Sequence, residues 1–278
     1  MNLEQAKQIL RTLKKLEAEG THSINELRVI VGLERAIARL SHDRDLAEHL
    51  IFKGGFVLLK NFDSDRFTRD ADALAVGISK DRVSLLAAKT LVTDLNDGLW
   101  FGDVKVQEME AQGEYGALRF DCAFQIGEPD LKKIRKLSRI HIDVGLSDKL
   151  PTQPKSQVMP SLLDHAEPVS WRVYPIEFIV AEKIETLIVR GSANSRAKDV
   201  YDLVRLLPKC QNRKTLKEAI VATFSHRKTL VPESFQGAIK AIDTAILKAA
   251  WAGIQVADGK MGFNRAWELL LNLVMKEF

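Results

Sequence analysis

Cysteine is scarce in this chain of 278 residues: Cys122 and Cys210 are the whole complement. They lie far apart and make no metal-ligand spacing, so a cysteine-built metal site is excluded and a reduced, cytoplasmic setting is expected. Long apolar runs are missing too. No segment approaches the roughly 18 to 20 residues that span a bilayer, so no membrane partner is expected. The opening MNLEQAKQILRTLKKLEAEG reads as a charged amphipathic helix, without the apolar stretch and cleavage site of a signal peptide. Repeats and low-complexity segments are also absent. Nor does one sign of charge dominate. The formal net charge is +4 and the basic residues are dispersed, which permits a polyanionic partner without demanding one.

What is present is an ordinary globular composition, with 46% hydrophobic and 28% charged residues, and a length suited to one or two domains. Leu3, Ile9, Leu10, Leu13 and Leu16 recur at helical spacing up to Gly20. Ser23 with Glu26 three residues on is the pattern of a capping box opening a second helix. Asp43 to Leu50 reads as a further helix, ending at the glycine pair Gly54–Gly55. From Phe67 the pattern changes. ALAVGI reads as a strand and VSLLAAKTLVTDLN as a helix. Three strands follow, marked by Val104 and Val106, by the alternation Leu118, Phe120, Cys122, Phe124, and by Ile140, Ile142, Val144 in RIHIDVG. The proline-rich stretch from Pro151 to Pro168 reads as a connector. Beyond Pro175 the pattern is almost wholly helical. The expected division is a mixed α/β half over 1–150 and a helical half over 151–278.

Two aspartates, Asp70 and Asp72, stand two residues apart, so on a strand they share a face while Ala71 points away. Two carboxylates on one face suit Mg²⁺, a hard cation held by one or two carboxylates and substrate phosphates. The same pair also fits a solvated turn. Asp143, set between Ile142 and Val144, adds a third carboxylate if its strand neighbours that of the pair. Such a cluster can hold two ions for phosphoryl chemistry. Asp121 in the preceding strand competes for that place. The glycine pair fits a plain turn or a close backbone approach to phosphate, and Arg66 and Thr68 offer a cation and a hydroxyl for triphosphate oxygens.

In PIEFIVAEKIETLIVR, Lys183 falls on an apolar seam with Ile176, Val180 and Leu187. It either snorkels to water or meets a phosphate or carboxylate across a cleft. In NSRAKDVYDLVRLL, Asn194 or Ser195 fits a helix cap. Asp199 and Asp202, a turn apart near Lys198 and Arg205, read by spacing alone as a solvated salt-bridged face.

Taken in order, KGGFVLL, RFTRDADAL, IHIDVG and VAEKIETLIVRGSANSRAKDVYDL resemble the AbiEii-type nucleotidyltransferases, the toxins of bacterial abortive-infection and toxin–antitoxin systems within the DNA polymerase β-like superfamily. The resemblance covers about residues 50 to 207. It implies an α+β fold, with a polymerase β-like core on a mixed sheet followed by a helical C-terminal domain that completes the cleft. It also implies an enzyme that moves an NMP from an NTP to an acceptor hydroxyl and releases pyrophosphate. By this resemblance Asp70, Asp72 and Asp143 hold two Mg²⁺ ions, while Gly54, Gly55, Arg66, Thr68 and Lys183 bind nucleotide. Asp199 completes the catalytic set by positioning Lys183 or the acceptor. The implied partners are an NTP, tRNA as acceptor, and an antitoxin protein. Ala71 and Ala73 replace larger aliphatics of the family pattern, and Lys198 stands where arginine is common. Two other readings remain open: the same chemistry on a small molecule or protein, and a catalytically silent nucleotide-sensing module.

Overall fold

The computed structural model describes residues 2–20, 22–109, 116–147, 153–164, 166–257 and 259–277. Pro151 and Phe278, the expected bounds of the helical half, lie outside these residues. The chain divides into two compact units. Residues 1–150 and 154–173 form one, and the chain from Tyr174 onward forms the other.

The first unit runs through α1 (Leu3–Ala18), α2 (Ile24–His42), α3 (Arg44–His49), β1 (Leu50–Lys53), α4 (Gly54–Asn61), β2 (Asp70–Val76) and α5 (Lys80–Leu91). It continues with β3 (Leu99–Met109), β4 (Ala117–Ile126), β5 (Ser138–Ser147), β6 (Lys155–Met159) and β7 (Val169–Val173). The capping box at the start of α2 is formed, since Ser23 and Glu26 each bond the other's backbone N–H. Among the described residues the strands make one seven-stranded sheet in the order β3-β4-β5-β2-β1-β7-β6. The sheet is mixed: β2 runs parallel to β5 and β1 parallel to β7, while the other neighbours are antiparallel.

Alternation gives this sheet one dry face. Ala71, Ala73 and Ala75 of β2 are buried with Phe120, Cys122 and Phe124 of β4 and Ile140, Ile142 and Val144 of β5. Helix α2 covers that face. Its Gly32 lies so close to the Phe124 ring that an added Cβ would sit 2.9 Å from it. The opposite face carries Asp70, Asp72, Asp143 and the polar residues of β4.

The connector expected over 151–168 is corrected here. Residues 155–159 and 169–173 are β6 and β7, and they extend the sheet beyond β1. The buried carboxylate of Glu34 on α2 helps to hold this region. It accepts from Lys60 of α4, from the Ser161 hydroxyl and from the Leu162 backbone N–H. A second difference lies at the glycine pair, which opens α4 directly after the short strand β1.

The second unit is helical: α6 (Ile176–Arg190), α7 (Ala197–Leu206), α8 (Arg213–His226), α9 (Phe235–Lys240), α10 (Ala245–Trp251) and α11 (Phe263–Glu277). Among the described residues no helix is long and apolar enough to cross a membrane.

Candidate active site

The site in the first unit follows from register. Asp72 of β2 stands opposite Asp143 of β5 on one side and opposite Lys53 of β1 on the other, and Asp143 stands opposite Arg119 of β4. Register partners point to the same face, so four neighbouring strands present the row Lys53, Asp72, Asp143, Arg119. The signs read plus, minus, minus, plus. Asp70 lies on the same face two residues before Asp72, opposite His141.

Two carboxylates side by side at strand spacing, roughly 5 Å, repel by about 3 kcal/mol at an effective dielectric of 20. The flanking cations offset that cost. Arg119 does so with a fork: its Nε is 2.7 Å from Asp143 Oδ1 and its Nη2 is 2.6 Å from Oδ2. Hydrogen bonding to Asp143 raises the Arg119 guanidinium above its ordinary value against partial burial, and the Asp70 and Asp72 charges add to the rise.

The glycine pair belongs to the same place. Gly54 has φ +74°, a left-handed conformation, and a Cβ built there would sit 2.0 Å from Asp72 Oδ2. A Cβ on Gly55 would sit 2.8 Å from Arg66 Nη2 and 3.2 Å from Thr68 Oγ1. Only glycines let the start of α4 lie against these three side chains. The helix begins without a side-chain cap, so its first backbone N–H groups take no bond from Lys53 at the N-cap. Arg66 and Thr68 are buried, each 6% exposed. Thr68 donates its one hydroxyl proton to Asp70 Oδ1 at 2.6 Å, which makes it an orienting partner of that carboxylate.

Asp121, the competitor of Asp143, is committed elsewhere. It accepts from Arg139 Nε at 2.5 Å, and His141 lies 3.6 Å away. Asp143 is the carboxylate in register with Asp72.

Carboxylate oxygens on one face are the donors that Mg²⁺ takes, so Asp70 and Asp72 fit such an ion. Asp143 fits by type and by register, but its oxygens are bonded to Arg119. Among the described residues no three His, Cys, Asp or Glu side chains are grouped to hold a metal ion.

The second unit brings Lys183 and Asp199 together. The Lys183 ammonium on α6 lies 2.7 Å from Asp199 Oδ1 and 2.8 Å from Asp202 Oδ2, and Arg196 Nε lies 2.7 Å from Asp199 Oδ2. Lys183 is 8% exposed, Asp199 0% and Asp202 2%. The solvated face expected for the two aspartates is therefore corrected: they point inward and join α7 to α6. Burial pushes the Asp199 carboxyl upward, but Lys183 and Arg196 outweigh it and hold the group well below the usual carboxylate range. Arg196 occupies the cap position of α7 and makes no side-chain cap bond. Asn194 accepts the Arg196 backbone N–H, so the expected caps Asn194 and Ser195 lie two residues and one residue before the cap position.

Arg119 and Lys53 escaped the sequence reading. Alternation in LRFDCAF does place Arg119 on the polar side of its strand. Its pairing with Asp143 depends on strand order, which no local pattern reveals.

The family model described as "Nucleotidyl transferase AbiEii toxin, Type IV TA system" matches residues 35–268. Among solved structures the chain is similar to JHP933 from Helicobacter pylori, at 15% identity over 88% of each chain with a TM-score of 0.46. It is also similar to a putative nucleotidyltransferase from H. pylori, at 13% identity over 91% of this chain and 93% of that one, TM-score 0.46. An antigenic nucleotidyltransferase-like protein from Paracoccidioides brasiliensis shares 15% identity over 77% and 95% of the two chains, TM-score 0.38. No curated protein matches the sequence.

Proposed function

The chain belongs to the AbiEii nucleotidyltransferase toxin family, and from that premise we propose that it transfers an NMP from an NTP to a hydroxyl of tRNA, in the cytoplasm, as a toxin restrained by an antitoxin. One observation carries the reading. Asp72 and Asp143 lie in register on adjacent parallel strands, on the face shared with Asp70, and Gly54 meets Asp72 there.

The residues divide the work as follows. Asp70, Asp72 and Asp143 would hold two Mg²⁺ ions, which when bound would supply a lowered pKa for the acceptor hydroxyl and charge neutralisation for the triphosphate. Thr68 keeps Asp70 in its rotamer. Gly54 and Gly55 let the uncapped start of α4 approach phosphate oxygens, where backbone N–H groups favour an anion. Arg66 adds a guanidinium beside them. Lys183 is assigned to the triphosphate, and its contact with Asp199 supports a positioning role for that aspartate. Such fixed charges act most strongly on the charge that develops in the transition state. A cytoplasmic setting agrees with Cys122 and Cys210 being buried thiols.

Incubation with each of the four α-labelled NTPs, Mg²⁺ and total RNA tests this reading. Label is expected in RNA of tRNA size with one preferred nucleotide. Label confined to protein or small metabolites rejects tRNA as acceptor. Growth arrest that survives Asp70→Ala rejects the chemistry and leaves nucleotide sensing.

A further inference from the structure

The three acidic side chains share a face, yet they are not gathered into a ligating group among the described residues. For Asp143 the reason is visible. Both of its carboxylate oxygens are bonded to one guanidinium, at 2.7 and 2.6 Å, in the strongest pairing that arginine makes with a carboxylate. Arg119 comes from β4, on the flank of β5 away from Asp72, and so draws the Asp143 carboxylate away from the pair.

We propose that Arg119 is a latch on the third carboxylate: the guanidinium and a divalent cation compete for the Asp143 oxygens, and Asp143 joins the cation site only when Arg119 lets go. The inference rests on the reading of Asp143 as a metal ligand. It adds a positioning residue that the family motif blocks do not include.

The competition is electrostatic. A divalent ion between Asp72 and Asp143 and a guanidinium forked onto Asp143 place like charges within a strand spacing of each other, so one weakens the other. The fork also occupies both oxygens and fixes the side-chain rotamer. Release of the arginine is unfavourable for a bare cation, which offers the guanidinium nothing in return. A nucleoside triphosphate does offer something, because phosphate oxygens accept the same planar fork. Cation and nucleotide therefore favour each other's binding, and the third carboxylate is held back until both are present. The reciprocity follows from linkage.

The test uses the full chain without nucleotide and measures Mn²⁺ affinity from the electron paramagnetic resonance signal of the free ion. Arg119→Gln is expected to bind Mn²⁺ about tenfold tighter than the unaltered protein, the change that one charge-assisted contact makes to an equilibrium. Arg119→Lys should fall between them, since an ammonium pairs as a point charge and cannot fork. In an Asp143→Asn background the Arg119→Gln gain should vanish. Unchanged or weaker binding in Arg119→Gln, with the far-ultraviolet circular dichroism of the unaltered protein, overturns the latch. An Arg119→Gln chain that does not fold passes the decision to Arg119→Lys, where binding no tighter than in the unaltered protein overturns it. Asp70→Asn and Asp72→Asn separate this from the functional reading. If neither lowers Mn²⁺ affinity, the cation site itself is wrong. If both do and Arg119→Gln brings no gain, the latch alone is wrong.

Discussion

Gly54 shows how narrowly the site is set at the level of single residues. Its left-handed backbone is strained for any side chain, at a cost of about 1–2 kcal/mol. Its Cβ position is also taken by the Asp72 carboxylate. Gly54→Ala must therefore displace Asp72, and a misplacement of that order costs about 100-fold in rate. Gly20 supplies the comparison, because its φ is +84° but nothing lies within 4 Å of an added Cβ. Gly20→Ala should lose a similar amount of stability in urea unfolding and keep its nucleotidyl transfer, while Gly54→Ala loses both. At this scale the sequence was informative about residue types and silent about partners. The glycine pair, Arg66, Thr68 and the aspartates stood out as candidates by type. That Gly54 serves Asp72 depends on how close α4 comes to β2, and that Thr68 serves Asp70 depends on the local fold of the chain between them.

Helices α6 and α7 carry the clearest electrostatic coupling between elements. Lys183 lies buried between Asp199 and Asp202, and Arg196 closes the group from the N-terminal end of α7. The folded-state carboxyl of Asp199 is depressed from its ordinary 3.8, so its stabilising contribution is complete above that value. It is lost as pH falls from there through the lower folded-state value. Asp199→Asn should cost about 3–5 kcal/mol at neutral pH, because Lys183 loses a charged partner in a buried setting. Its melting temperature should also fall less steeply with acid than that of the unaltered protein. A thermal melt series from pH 7 down to pH 2 checks both, and curves that stay parallel below 3.8 would contradict the assignment. Spacing alone pointed the other way for this pair, since acids a turn apart beside Lys198 and Arg205 resemble a solvent face. The contrary signal was Lys183 itself, a lysine on an apolar seam in need of a counter-charge. Local chemistry was easier to read elsewhere. The Ser23–Glu26 box and Pro175, which caps α6, mark their helix starts. Strands β1, β6 and β7 were not legible: β1 has four residues, and the other two lie in a proline-rich stretch with little alternation.

Across the whole molecule, a mixed α/β part followed by helices follows from the change in hydrophobic period along the chain. The sheet order does not. β2 lies between β5 and β1, and this insertion of a strand between distant segments creates the row of Lys53, Asp72, Asp143 and Arg119. The three carboxylates were candidates by pattern, but the cations that flank them appear only once the strands are paired. If this face performs nucleotidyl transfer, loss of the Asp72 charge must slow the reaction without unfolding the protein. Pyrophosphate release from the preferred NTP, compared between the unaltered protein and a folded Asp72→Asn variant at equal Mg²⁺ and acceptor, tests this most directly. Release is expected to fall by about 100- to 1,000-fold, the scale of a lost transition-state electrostatic contact, with the melting temperature little changed. Release at the unaltered rate from a folded Asp72→Asn protein would contradict it.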